Sequence, residues 1–166
     1  WPTKAFHLDR CLLESRIPLL NGKELIVINS HNSAYDGGQL KPQEMEYLKA
    51  HLLEEYEKGN YVVVGADWNQ CPPNFDYDSF SKGNSEDYYQ DNIEESFMPE
   101  GWQWAYDGTV ATNRKIDKTY KEGTTFTTLI DFFLLSPNLS LLEVEGVSLN
   151  FKYSDHQPVK IKIQLQ

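Results

Sequence analysis

Two apolar runs with one helix-period segment between them limit this chain to very few architectures. Val62-Val63-Val64 is a short β-branched run of the kind found in a strand covered on both faces, and Leu25-Ile26-Val27-Ile28 is a second buried run. Between them, Pro42-Gln43-Glu44 opens a helix with proline in the first turn and an acid behind it, as the helix dipole favours. Met45, Leu48, Leu52 and Tyr56 recur on one face, and Gly59-Asn60 closes the segment. Strand, helix and strand in that order predict a right-handed βαβ unit with parallel strands. Both strands then release their polar followers, Ser30-His31-Asn32-Ser33 and Asp67-Trp68-Asn69, on the same edge of the sheet. Gly65 and Ala66 remove bulk just before the second turn. Asp67 and Asn69, two positions apart, can face one cleft, and a carboxylate with a neighbouring amide suits a hard cation, a phosphoryl oxygen or an attacking water.

The rest of the chain supplies further strands. Asn21-Gly22 separates the strand-compatible Arg10 to Leu20 from Glu24 to Ser30, a hairpin signal. After Cys71-Pro72-Pro73, residues 74–100 are acidic, with Tyr77, Phe80, Tyr88, Tyr89 and Phe97 lacking a clear period. This reads as a solvated excursion with a helix near Glu86 to Phe97; Asp76, Asp78, Glu86 and Asp87 do not have the spacing of an EF-hand calcium loop. Trp102 to Tyr106 alternates as a strand, and Thr112-Asn113-Arg114 precedes Lys115, Lys118 and Lys121, a basic stretch that is either plain surface or faces an anionic substrate. Phe126 to Leu135 reads as one buried strand interrupted by Asp131, a carboxylate that needs a partner or a cation there. Leu141 to Leu149 and Val159 to Leu165 alternate, with the polar loop Tyr153-Ser154-Asp155-His156-Gln157-Pro158 between them.

At 166 residues the chain amounts to a single domain, residues 1–166, able to bury a core without crosslinks. A net charge of −10 argues against a broad basic surface for duplex DNA, although bound cations can invert the field inside a cleft. Cys11 and Cys71 lie too far apart in sequence to suggest a disulfide framework or a cysteine-rich zinc site. No apolar run is long enough for a transmembrane segment, and no signal pattern or compartment is indicated. The chain begins at Trp1-Pro2-Thr3, without methionine, as if cut from something longer.

His31, Asp67 with Asn69, Asp131, and Asp155 with His156 all fall at or near predicted strand ends, where sites of α/β folds collect. The pieces Ile28-Asn29-Ser30-His31, Gly65-Ala66-Asp67-Trp68-Asn69, Ile130-Asp131-Phe132-Phe133-Leu134-Leu135-Ser136 and Ser154-Asp155-His156-Gln157-Pro158-Val159 resemble, in order, the motifs of the endonuclease/exonuclease/phosphatase superfamily. That superfamily includes deoxyribonuclease I, abasic-site endonucleases, sphingomyelinases and inositol-polyphosphate 5-phosphatases. The resemblance implies a two-sheet α/β sandwich that hydrolyses phosphoesters with Mg²⁺ or Mn²⁺. It implies that Asp67 orients or deprotonates the attacking water, that Asn69 helps hold the phosphate or nucleophile, and that Asp155 is a metal-side carboxylate. His156 resembles the histidine on the phosphoryl oxygen, Asp131 the acid that pairs with one of the histidines, and His31 a histidine serving the phosphate or leaving group. Arg114 is the candidate contact to a substrate phosphate.

Family members also begin with a strand carrying an asparagine and a second strand followed by the principal metal-binding glutamate; neither precedes Trp1-Pro2, and Glu14 does not substitute. The chain thus reads as the C-terminal portion, roughly 60%, of a domain on the order of 250 residues, with an N-terminal fragment as a partner that completes it. The alternative is a non-catalytic binding or structural fragment that has lost the glutamate. Among enzymes, nuclease and lipid or small-molecule phosphoesterase both stay open, with the acidic balance leaning toward the second.

Overall fold

In the computed structural model, which describes residues 10–34, 40–76, 79–80 and 91–166, the βαβ unit forms as its pattern predicts. Strand β1 (Leu13–Pro18) is followed by β2 (Glu24–His31), helix α1 (Lys41–Glu57) and β3 (Tyr61–Asp67). Strands β2 and β3 pair in parallel from Leu25 opposite Tyr61 to His31 opposite Asp67. Proline sits in the first turn of α1, and Gly59, at φ +83°, lets the chain leave the helix in a left-handed conformation. Met45, Leu48 and Leu52 are buried as expected, but the fourth buried residue of α1 is Glu55. Tyr56 is half-buried instead, its ring 5.7 Å edge-on to Trp102.

Glu55 tolerates burial because its partners converge on it. The Arg16 guanidinium on β1 is 2.9 Å from its carboxylate, Lys58 Nζ is 2.7 Å away, and Asn60 Nδ2 donates at 2.8 Å. Hydrogen bonding from Arg16, outweighing the cost of burial, holds the Glu55 carboxyl at about 2. Arg16 also meets Glu14 and Glu24, and His51 of α1 meets Glu14, so this ionic cluster fastens the edge strand to the helix. Glu14 therefore lies on the helix face of the sheet. The β1–β2 hairpin closes through a five-residue loop, with Leu19 N–H donating to Lys23 O at 2.8 Å and Gly22 at φ +77°, not through a bare Asn-Gly turn.

The central sheet runs β1-β2-β3-β7-β4, where β4 is Gln103–Ala105 and β7 is Asp131–Leu135, antiparallel to β3. The single strand expected over Phe126 to Leu135 is broken in two. Thr127–Thr128 (β6) pairs with Asn113–Arg114 (β5), and only the later half joins the central sheet. The Thr112 hydroxyl accepts the backbone N–H groups of Ile130 and Asp131, both at 3.0 Å, which satisfies those donors at the crossing between sheets. Of the helix expected from Glu86 to Phe97, the described residues 91–97 form none: Asn92 bridges to Cys71 and only Glu95–Phe97 make one 3₁₀ turn; Tyr77, Asp78, Glu86, Asp87, Tyr88 and Tyr89 lie outside the described residues.

Strands β8 (Leu139–Gly146) and β9 (Val159–Leu165) form a separate antiparallel pair, irregular between Leu141 and Glu143. Leu141, Ile161 and Ile163 pack over Tyr61, Val63, Ala105 and Leu135 on one face of the central sheet, while α1 packs over Ile26, Ile28, Val62 and Val64 on the other. The result is a helix layer and two sheet layers. The second sheet covers only part of its face. Leu13 and Ile17 pair with Asn29 and Leu25 and share the β8–β9 side, yet they are 66% and 47% exposed. Val159, Ile161 and Ile163 are half-buried, and Leu165 is exposed. Among the described residues no helix is long and apolar enough to cross a membrane.

Gly65 sits where β3 passes Phe133 of β7. A Cβ there would lie 2.7 Å from Phe133 Cε1, closer than any carbon contact allows. Gly65→Ala is expected to cost about 1–3 kcal/mol as the ring is displaced, read as a lowered midpoint in thermal denaturation followed by circular dichroism.

Candidate active site

The sheet register assembles the site. Parallel pairing sets His31 beside Asp67, with His31 Nε2 3.2 Å from Asp67 Oδ2. Antiparallel pairing sets Asp131 opposite Asp67 from the other side, so two carboxylates meet across neighbouring strand ends. Like charges in direct cross-strand contact repel, and a cation or a proton must intervene. The His156 imidazole lies between them. Its Nδ1 is 3.0 and 2.9 Å from the two Asp131 oxygens, and its Nε2 is 3.8 Å from Asp67 Oδ2.

The loop that delivers His156 is fixed by backbone partners and by one buried glutamine. Arg114 N–H donates to Asp155 O at 3.0 Å and Gln157 N–H to Thr112 O at 2.7 Å. Gln157 Nε2 donates to Ala111 O at 2.8 Å, and its Oε1 accepts the Leu149 N–H at 2.6 Å. On the far side Asn69 adopts φ +49°, a left-handed conformation that asparagine tolerates. Its N–H donates to Asp67 Oδ1 at 3.0 Å, and its Nδ2 donates to Asn32 O at 2.8 Å, tying the Asp67 turn to the end of β2. Lys41 Nζ donates to Asn69 O at 2.9 Å, so the start of α1 braces the same turn.

Burial, and then the charge of Asp131, push the Asp67 carboxyl above its ordinary value; His31, the Asn69 N–H and His156 pull the other way. The hydrogen bond with Asp131 raises the His156 imidazole above its ordinary value, with burial opposing and the charges of Asp131, Asp67 and Asp155 assisting. One ligand atom from each of Asp67, Asp131 and His156 lies within 4.8 Å of the others, and Asp67 is largely buried. The two opposed carboxylates form an oxygen donor pair that fits a divalent cation, with the His156 ring beside them.

His31, Asp67, Asn69, Asp131 and His156 thus come together. Asp155 and Arg114 do not reach the same point with their side chains. The Asp155 carboxylate accepts from Ser154 Oγ at 3.4 Å and stands outside the Asp67–Asp131–His156 group. The Arg114 guanidinium donates to the carbonyls of Lys115 and Lys118 at 3.0 and 3.3 Å and so organises its own loop. Four residues of the site were not singled out by sequence: Thr112, Asn113, Gln157 and Lys41. Three of these gain their place through contacts more than ten positions away in sequence that involve the β5 segment or the His156 loop, for which no local period exists. Lys41 is read only as the residue before the helix proline.

No protein-family model matches this chain, and no curated protein is similar to it in sequence. Solved structures are similar to it in fold. A mannosyl-6-phosphatase of Bacteroides thetaiotaomicron is 16% identical with a TM-score of 0.54 over 94% of this chain and 57% of its own. TDP2 of D. rerio, solved with a single-strand DNA product, is 14% identical with a TM-score of 0.59 over 93% and 62%. An endonuclease/exonuclease/phosphatase from Bacteroides vulgatus is 15% identical with a TM-score of 0.59 over 95% and 56%. At these identities the likeness is one of fold, and the fold is the two-sheet α/β sandwich of the endonuclease/exonuclease/phosphatase proteins. The chain spans less than two thirds of each of these structures.

Proposed function

We propose that the chain is the C-terminal part of a single metal-dependent phosphoester hydrolase domain in which water attacks phosphorus in line. The observation that carries this reading is the convergence of His31, Asp67, Asn69, Asp131 and His156 from separate strand ends onto one point. Asp67, with His156 and Asp131 beside it, would hold Mg²⁺ or Mn²⁺, with Asp155 on the metal side if its carboxylate turns inward. Bound there, the cation supplies Lewis-acid neutralisation of charge on the phosphoryl oxygens. Asp67 orients and deprotonates the water, Asn69 positions it, and His156, held by Asp131, contacts the phosphoryl oxygen. His31, more than half exposed, serves the phosphate or the leaving group at the rim. Arg114 and the lysines at 115, 118 and 121 lend positive potential beside the His156 loop in an otherwise acidic chain.

The net charge favours a small or lipid phosphoester over a long polynucleotide, since polynucleotide binding draws on many phosphate contacts. The exposed apolar residues of β1 and the half-buried ones of β9 support a role for a further N-terminal segment that covers them and completes the domain. A non-catalytic binding module is the second reading. It is favoured by one observation: among the described residues no glutamate joins Asp67, Asp131 and His156.

Chelation separates the two. Turnover of bis(p-nitrophenyl) phosphate is expected to vanish in EDTA and return with Mg²⁺ or Mn²⁺, in the longest form of the protein that can be prepared. Asp131→Asn, which keeps the shape and weakens the hold on His156, should lower that turnover roughly 10- to 100-fold. Absent turnover supports the binding module, and metal-independent turnover takes the cation out of the hydrolase reading.

A further inference from the structure

We infer that Asn113 is a positioning residue that holds the His156 ring at the nitrogen Asp131 leaves open; its kinetic consequence rests on the hydrolase reading, but the contact itself does not. Both Asp131 oxygens lie within 3.0 Å of His156 Nδ1, so that nitrogen carries a hydrogen and donates it. In the neutral ring the lone pair then sits on Nε2. Asn113 Nδ2 is 2.9 Å from Nε2, and an amide nitrogen is only a donor. The same Nδ2 is 3.4 Å from Asp155 O, so the two amide hydrogens face two acceptors, and this fixes which end of the amide meets the ring.

Asn113 is in a position to be firm. It is 6% exposed, it pairs with Thr128 in the β5–β6 ladder, and it forms a backbone bridge to His156. With Asp131 on one nitrogen and Asn113 on the other, the imidazole cannot turn about its own axis without losing a hydrogen bond. The ring is left with Nε2 3.8 Å from Asp67 Oδ2, facing the carboxylate that the hydrolase reading places at the reacting phosphate. Asn113 thus acts through His156. A ring fixed at one nitrogen only would sample orientations in which it no longer faces Asp67.

The contact can be measured without any turnover. In protein labelled with ¹⁵N at asparagine side chains and histidine rings, at a pH where the imidazole is neutral, an N–H···N bond gives scalar coupling between the two nitrogens. A coupling between Asn113 Nδ2 and His156 Nε2 is expected, and its absence when both resonances are observed overturns the inference. In the assay, Asn113→Leu, similar in size but with no donor, should lower kcat about tenfold, the worth of one hydrogen bond, with KM changed less than about threefold. An unchanged kcat in the folded leucine variant overturns it. If the parent protein itself shows no turnover, the hydrolase reading fails, and the coupling alone decides for or against Asn113.

Discussion

Asp67→Asn is expected to lower phosphodiester turnover at least about a hundredfold while leaving the fold intact, as befits loss of a general base. The substitution is nearly isosteric, and the amide can still accept the Asn69 N–H through its remaining oxygen. What disappears is the negative charge that would activate water and hold a cation. Stability should move the other way. The folded-state pKa of Asp67 is raised above the unfolded value, so the stability it contributes is fully present at acid pH and is lost as pH rises through that folded pKa. Asparagine removes this dependence together with the repulsion between Asp67 and Asp131. In metal-free buffer at neutral pH the variant should therefore melt at or above the parent temperature. Near-normal turnover would take Asp67 out of the mechanism, and a clear drop in melting temperature would mean that its charge is already compensated in the folded protein.

Arg16→Met is expected to cost about 2 kcal/mol of stability, the worth of a charge-assisted hydrogen bond from an exposed guanidinium to a buried carboxylate that keeps Lys58 and Asn60. For a chain of this size that is a fall in melting temperature of roughly 4–8 °C. The acid limb should change as well. Glu55 is held at about 2 against an ordinary 4.5, so its contribution is present above 4.5 and is lost as pH falls from there through 2. Without Arg16 the Glu55 carboxyl should return toward its ordinary range, and the loss of stability between those two values should shrink. Thermal melts across that window in parent and variant decide the matter; an equal acid slope in both would exclude Arg16 as the cause of the low value.

The parts of the fold that follow a local period were legible in the sequence. Non-alternating β2 and β3, the helical spacing of Met45, Leu48 and Leu52, and the alternation of β9 each declare an element, and the βαβ order alone sets His31 beside Asp67. Asp131 was readable from its cost, since a carboxylate between Ile130 and Phe132 must have a partner, and the partner is His156. The break at Leu129-Ile130 was not readable, because it depends on a hydroxyl from Thr112, eighteen positions upstream of Ile130. Glu55 was overlooked for a related reason. Its burial is tolerable only because Arg16 arrives from a strand that the helix pattern says nothing about. Asp155 and Arg114 show the limit of reading roles from a motif: the backbone of their loops docks on the site while their side chains find nearer partners.

The direct opposition of Asp67 and Asp131 has a consequence for how errors in folding are handled. Strand side chains point alternately up and down, so sliding β7 by one residue along β3 would bring Ile130 or Phe132 to face Asp67 and send Asp131 to the helix side. The same slip would drive the buried Phe132 and Leu134 away from α1, forfeiting much of the core. A mispaired molecule is therefore unstable and also lacks the Asp67–Asp131–His156 cluster, and quality control acting on stability alone would weed out chains with a scrambled site.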